Sequence, residues 1–290
     1  MDNRSLKQFV TLADSLHFGR ASEASNVSPS ALSRSIARIE QDLGVKLFER
    51  NNRSVALTHA GTLFLGYARD ALGEWDTIRN TLMEEAAELH GEVSVYCSVT
   101  ASYSFLFELL TRFRQDFPNV EIKLHTGDPE DAIPRVLAGS EDIAIGAKPT
   151  AMNSELAFVP IGVSPLVFIK AVNKETEPPQ SSWMASPMIL PERGLARQRV
   201  DEWFRSQGLQ PNIYAQVAGN EAIVSMVSLG FGVGVVPQIV LDNSPLGDTI
   251  SVLDSRPGLK AYEVGLFAQK KKLGNPLISA FWFLQKNLIK

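Results

Sequence analysis

The chain contains a single cysteine, Cys97, in 290 residues. One cysteine excludes an intrachain disulfide framework, and a thiol redox sensor would lack its resolving partner. Histidine is nearly as scarce. His17, His59, His90 and His125 are scattered, with no metal-ligand spacing among them. Cys97 has no evident His or Asp partner in sequence, so neither an enzyme nor a bound cofactor or metal is expected. No apolar run approaches the ~18 residues that span a bilayer. The N-terminal Met1-Asp2-Asn3-Arg4 leads into a charged amphipathic segment instead of the apolar core of a secretory signal. A cytoplasmic protein with no membrane partner is the expectation. What is present is ordinary for a globular protein, 44% hydrophobic and 21% charged, and the length suggests at least two domains.

The net charge of -4 is unevenly spread. Residues 1–60 hold 8 Lys/Arg against 6 Asp/Glu, whereas residues 61–89 hold 2 against 6. A slightly basic head on an acidic body is compatible with nucleic-acid binding confined to one end.

Leu6, Phe9, Val10 and Ala13 recur at the spacing of a helix with one buried face. Arg20 to Ser25 can form a second, short helix with Ala21 and Ala24 turned inward. Ser28 is a good N-cap, and Pro29 suits the first helical position, where its missing N–H would have lacked a partner anyway. The third helix then runs to about Leu43 and stops at Gly44. Leu32, Ile36, Ile39 and Leu43 share one side of it; Ser30, Ser33, Arg34, Arg38 and Gln41 share the other. That second side carries hydroxyls, an amide and guanidiniums but no carboxylate. It can hydrogen-bond base edges and phosphates in a major groove without repelling the duplex. Lys46–Arg50 and Arg53–Leu57 flank Asn51-Asn52, which reads as a hairpin, a wing with Arg50 and Arg53 near its tip. Residues 1–60 are thus expected to form a winged helix-turn-helix.

The stretch VSPSALSRSIARIEQDLGVKLFERNNRSVALTHAG resembles the signature of LysR-type transcriptional regulators. Its Leu32-Ser33-Arg34 core, Ile39-Glu40 pair and Leu47-Phe48-Glu49-Arg50 wing carry the likeness, and the order of downstream elements extends it over essentially the whole chain. The resemblance implies a double-stranded DNA operator as partner, with Arg20, Pro29, Ser30, Ser33, Arg34, Arg38, Arg50 and Arg53 as DNA-contacting residues. It also implies a small-molecule inducer, self-association as a dimer or tetramer, and contact with RNA polymerase.

Thr58 can cap a helix that continues to about Leu89, making residues 58–90 a linker. Ala68, Trp75, Leu82 and Leu89 are spaced by seven, with Ala71 and Ile78 in the second seam position and Glu85 interrupting it. Packing against the chain's own head and pairing with a second copy both fit this spacing. The resemblance favours the second, with Ala68, Trp75, Ile78 and Leu82 at the dimer seam.

From Val93 strands and helices alternate, which predicts an open, mostly parallel sheet. Two successive sets suggest two lobes, about 92–163 with 267–290 and about 164–266, joined as an effector domain over 92–290. The polar, Pro-rich Lys174–Ser182 stretch reads as a surface loop. The resemblance implies a periplasmic-binding-protein-like architecture for this α/β half, and an α+β multidomain chain as a whole. Three loops fall at strand ends, where helix N-termini supply free N–H groups. They are Ser98-Val99-Thr100-Ala101-Ser102, Thr126-Gly127 and Gly219-Asn220-Glu221. Each can be an ordinary cap; together they outline an effector site of Ser98, Thr100, Ala101, Ser102, Thr126, Gly127, Asn220 and Glu221. The strings CSVTASYS, VEIKLHTGD, AIGAKP, VDEWFRSQG, EAIVSMVSLGFGVGVVP, VLDNSP and FAQKKKL are similar to one branch of the family. That branch activates the ketol-acid reductoisomerase gene of branched-chain amino acid biosynthesis in response to acetohydroxy acids. An acetohydroxy-acid inducer is therefore implied by resemblance; a regulator of another pathway, answering to a different small organic acid, is the alternative.

Overall fold

The computed structural model describes residues 2–50, 54–84, 89–104, 106–172 and 183–284. The chain divides into two units, one formed by the residues before Leu89 and the other essentially by those from Leu89 onward.

In the first unit each helix starts where a side chain can accept an otherwise orphaned backbone N–H. Asp2 accepts from Ser5 N at 2.8 Å to open α1 (Asn3–Ser15). His17 Nδ1 accepts from Arg20 N at 3.2 Å to open α2 (Phe18–Ala24). Ser28 accepts from Ala31 N at 3.2 Å to open α3 (Pro29–Leu43), which ends at Gly44 with φ 71°. The core joins Leu6, Phe9, Leu12, Ala21, Leu32, Ile36 and Ile39. Two inward assignments change. Ala24 is exposed, because the core-facing arc of so short a helix is taken by Ala21 and Ser22, whose hydroxyl donates to the Gly19 carbonyl at 2.8 Å. Leu43, the last residue of α3, is 43% exposed, beyond the reach of the core.

Strands β1 (Phe48–Arg50) and β2 (Val55–Leu57) pair antiparallel, with Arg50 opposite Val55. The wing is tied to α3 by one buried carboxylate. Glu40, 3% exposed, accepts from Leu47 N at 3.0 Å and Phe48 N at 3.3 Å, and from Lys46 Nζ at 3.0 Å. Thr58 completes the junction: its hydroxyl accepts from Gly61 N at 2.9 Å, opening α4 (His59–Glu84), and donates to the Lys46 carbonyl at 2.8 Å. The 26 residues of α4 extend about 39 Å. Its first turns belong to the head, since Phe64 and Ala68 are buried in the same core and Phe64 stacks edge-on to Phe9 at 4.8 Å.

The second unit has two five-stranded sheets. The first has the order β4-β3-β5-β12-β6, built from β3 (Gly91–Cys97), β4 (Val120–Thr126), β5 (Ile143–Ala147), β6 (Leu156–Ser164) and β12 (Tyr262–Gln269). The second has the order β11-β7-β10-β8-β9, from β7 (Leu166–Ala171), β8 (Met188–Pro191), β9 (Ile213–Val217), β10 (Val233–Pro237) and β11 (Ile250–Leu253). The expectation of mostly parallel sheets needs correction. Only the β4-β3-β5 and β10-β8-β9 runs are parallel; β12, β6, β7 and β11 join antiparallel. The chain crosses between sheets twice, at Pro165 and between β11 and β12. The second crossing comes earlier than 266, because Tyr262 already pairs with Ser164 across β6. Short helices α5 (Val99–Tyr103), α6 (Leu106–Asp116) and α7 (Ala132–Leu137) serve the first sheet. Helix Gly194–Ser206 brings Trp203 and Phe204 onto Phe168 of the second, and helix Asn220–Ser228 packs Ile223, Val224 and Val227 on its other face. The expected Lys174–Ser182 loop lies outside the described residues, as do Glu85 and the chain beyond Leu284.

Replacing Glu40 with Ala leaves two buried N–H groups of the wing without an acceptor. Urea unfolding of the full chain should show a loss on the order of 2–3 kcal/mol for the transition that reports the head. Glu40→Gln, whose amide oxygen still accepts, should lose less; equal stability of Glu40→Ala and the parent would contradict the anchoring role.

Candidate functional site

Helix α3 presents Ser30, Arg34, Arg38 and Gln41 to solvent, with Ser33 half-buried beside them. Pro29 is exposed at its first position. Arg34 Nε donates to the Ser30 carbonyl at 3.3 Å, which lays the guanidinium along the exposed face. Arg20 is exposed on α2, where its guanidinium donates to the Ser15 carbonyl at 3.0 Å. Arg50 ends β1, and Arg53 lies outside the described residues. The face retains its acid-free middle, since Glu40 is turned inward to the wing.

Along α4, Trp75, Ile78 and Leu82 are 53%, 60% and 65% exposed, at i, i+3 and i+7. Leu63 and Tyr67 continue the apolar exposure toward the head. Ala68 does not belong to that stripe. It is fully buried in the head's own core, because that core covers only the first part of α4, as far as Leu72, and leaves the same face open from Trp75 onward.

The second unit holds a cavity of about 420 Å³ between its two sheets, in the range of small-molecule sites. Ser98, Thr100, Ala101 and Asn220 line it. Ser98 caps α5 by accepting from Ala101 N at 3.2 Å. Thr100, 2% exposed, gives both its donors to one carboxylate from the other lobe: its N–H at 3.1 Å and its hydroxyl at 2.5 Å go to Glu221 Oε1. Glu221 is therefore a partner of the Thr100 loop.

Four expected residues do not line the cavity: Glu221, which is turned to the Thr100 loop, and Ser102, Thr126 and Gly127. The Ser102 hydroxyl donates to the Val99 carbonyl at 2.6 Å, inside α5's own turn. Thr126 is exposed at the end of β4. Gly127 donates its N–H to the Cys97 carbonyl at 3.1 Å, and a Cβ there would collide with the Tyr96 hydroxyl. Just beyond these two, Asp128 and Glu130 line the cavity. Glu130 Oε1 accepts from Leu195 N at 3.3 Å, at the start of helix Gly194–Ser206. Gly194, at φ 89°, leaves room for that carboxylate; a Cβ would run into it. Arg193 holds Asp128 at 3.0 Å and Asp131 at 2.8 Å. Burial pushes the Glu130 carboxyl above its ordinary value, against the lowering effect of the Leu195 N–H.

Sequence reasoning missed Glu130 and Arg193. A signal was available, since Glu192-Arg193-Gly194 follows the apolar Met188-Ile189-Leu190 run just as the chosen loops follow their strands. It also missed Ser164 and Tyr262, which line the cavity at the crossing between sheets. Nothing local marks either. Burial drives the Tyr262 phenol well above its ordinary range.

Two family descriptions match the chain: "Bacterial regulatory helix-turn-helix protein, lysR family" over residues 3–62 and "LysR substrate binding domain" over residues 86–288. The HTH-type transcriptional activator IlvY of Salmonella typhimurium is 43% identical over 99% of this chain and 100% of its own length. The HTH-type transcriptional regulator IlvY of Escherichia coli is 42% identical, covering 99% of each. Full-length CbnR, solved in complex with its target DNA, matches in fold with a TM-score of 0.65 at 23% identity, covering 99% of this chain and 100% of that one.

Cys97 is fully buried at the end of β3, and burial alone pushes its thiol up to about 12. The thiolate is the reactive form, so a thiol-specific reagent at pH 8 should titrate no cysteine in the native chain and one after denaturation. Rapid native labelling would contradict its burial.

Proposed function

The chain belongs to the LysR family of DNA-binding transcriptional regulators, and from that premise we propose that it activates branched-chain amino acid biosynthesis when an acetohydroxy acid enters the cleft of its second unit. The pathway rests on likeness to the IlvY activators, which extends along the whole chain. One observation carries the carboxylate part of the reading. The Thr100 loop already holds a carboxylate, that of Glu221, on an N–H and a hydroxyl. An inducer carboxylate would meet the same two donors in place of Glu221. Charge-assisted hydrogen bonds of this kind are about twice as strong as neutral ones. Because Thr100 and Glu221 stand on different sheets, the exchange would break a tie between lobes and bias their relative arrangement. A ligand shifts a conformational equilibrium only by its differential affinity for the two states, and this exchange supplies such a difference.

On the DNA side, Arg34, Ser30 and Ser33 are proposed to meet bases and phosphates, with Arg38 and Pro29 beside them, Arg20 on α2, and Arg50 and Arg53 from the wing. The exposed Trp75-Ile78-Leu82 stripe is proposed to pair two chains, so that two heads meet a two-fold operator together and raise each other's effective concentration. A larger assembly of such pairs and contact with RNA polymerase belong to the same reading.

Two experiments test these proposals. Arg34→Ala should lose on the order of 1–3 kcal/mol of specific operator binding with an unchanged association state. Leu82→Asp should instead sediment as a weaker dimer; a dimer as tight as the parent's would remove the stripe from the seam. Calorimetric titration with acetolactate, against benzoate and muconate, addresses the inducer. Acetolactate should bind best, and Thr100→Val, which keeps the shape but removes the hydroxyl, should weaken it by roughly 1–3 kcal/mol. Preference for the aromatic or dicarboxylic acid would favour a regulator of another pathway.

A further inference from the structure

Ser164 is the last residue of β6, one position before the chain crosses to the second sheet. It is 2% exposed, it borders the cavity, and its hydroxyl has no hydrogen-bond partner. Its backbone is held in the β6–β12 ladder opposite Tyr262, so the side chain's position is set by the sheet. Most buried polar side chains in folded proteins are partnered, and an orphan on a residue that borders a cavity calls for an explanation. Val264, Pro237 and Ile239, which line the same cavity, are apolar. Two charged groups of the cleft are engaged elsewhere, Glu130 on Leu195 and Arg193 on Asp128 and Asp131.

We infer that Ser164 is a specificity-determining residue, whose hydroxyl pairs with a neutral oxygen of the inducer, a hydroxyl or ketone next to the carboxylate. A serine hydroxyl both donates and accepts, so either oxygen meets its need. The carboxylate subsite at Thr100 would then accept any short carboxylic acid, and Ser164 would separate oxygenated acids from plain ones. A site built around a hydrogen-bonding group discriminates strongly against analogues that cannot supply the partner. This inference rests on the effector reading given above, and it adds which residue reads the part of the molecule that is not charged.

The test is the ratio of affinities of the full chain for acetolactate and for 2,2-dimethylbutanoate, a near-isostere with hydroxyl and ketone replaced by apolar groups. The parent should prefer acetolactate. Ser164→Ala should bind acetolactate about tenfold more weakly and leave 2,2-dimethylbutanoate unchanged, which collapses the ratio. Its thermal midpoint should not fall, because no protein hydrogen bond is lost. Ser164→Thr, which restores a hydroxyl, should recover the preference. An unchanged ratio in Ser164→Ala would overturn the inference and leave the inducer assignment intact. An equal loss for both ligands would overturn it too, since that is the mark of a structural role. A parent chain that binds no acetolactate would overturn the inducer assignment instead, and the ratio of lactate to propionate would then decide Ser164 by the same criterion.

Discussion

Backbone N–H groups at helix starts must find acceptors, and in a cleft closed off from water the acceptors have to come from the protein. This requirement organises the second unit. Glu221 reaches from one lobe to Thr100 at the start of α5, and Glu130 reaches back to Leu195 at the start of helix Gly194–Ser206. Each lobe thus supplies a carboxylate to the other. The arrangement satisfies the donors, ties the lobes together and furnishes sites whose natural occupant is a carboxylate. A regulator that answers to an organic acid can be built by letting the acid compete for one of these places.

The first unit uses the same chemistry for a different end. Glu40 sits near the end of α3, with its carboxylate buried against the Leu47 and Phe48 N–H groups. Its charge is thereby spent on positioning the wing. The Lys46 ammonium adds little, since that side chain is largely in water. The two exchanges, wing to helix and lobe to lobe, explain why single acids matter more here than the overall charge of -4 would suggest.

Much of the fold was legible in local pattern. Ser28, Pro29 and Gly44 bracket α3 where expected, and Thr58 caps α4. Local reading failed where position along the chain and position in space part company. Ala68 keeps a seven-residue step with Trp75 and Leu82, but it faces α1 and not outward. Thr126 and Gly127 follow a strand as a ligand loop should, yet the cavity is lined by Asp128 and Glu130 just beyond them.

The amino-acid sequence by itself determined the helix starts and stops, the order of elements, the acid-free face of α3 and the family. These depend on residues within about four positions of one another, or on a motif read in order. Only the tertiary structure decided which acid meets which donor, that the sheets are mixed, and that Ser164 borders the cavity with a hydroxyl unpartnered among the described residues. Thr100 and Glu221 are 121 residues apart, and Glu130 and Leu195 are 65. No spacing rule connects such residues; they are brought together because β6 and β12 carry the chain back and forth between two sheets, and the closing of those sheets fixes what lies across the cleft.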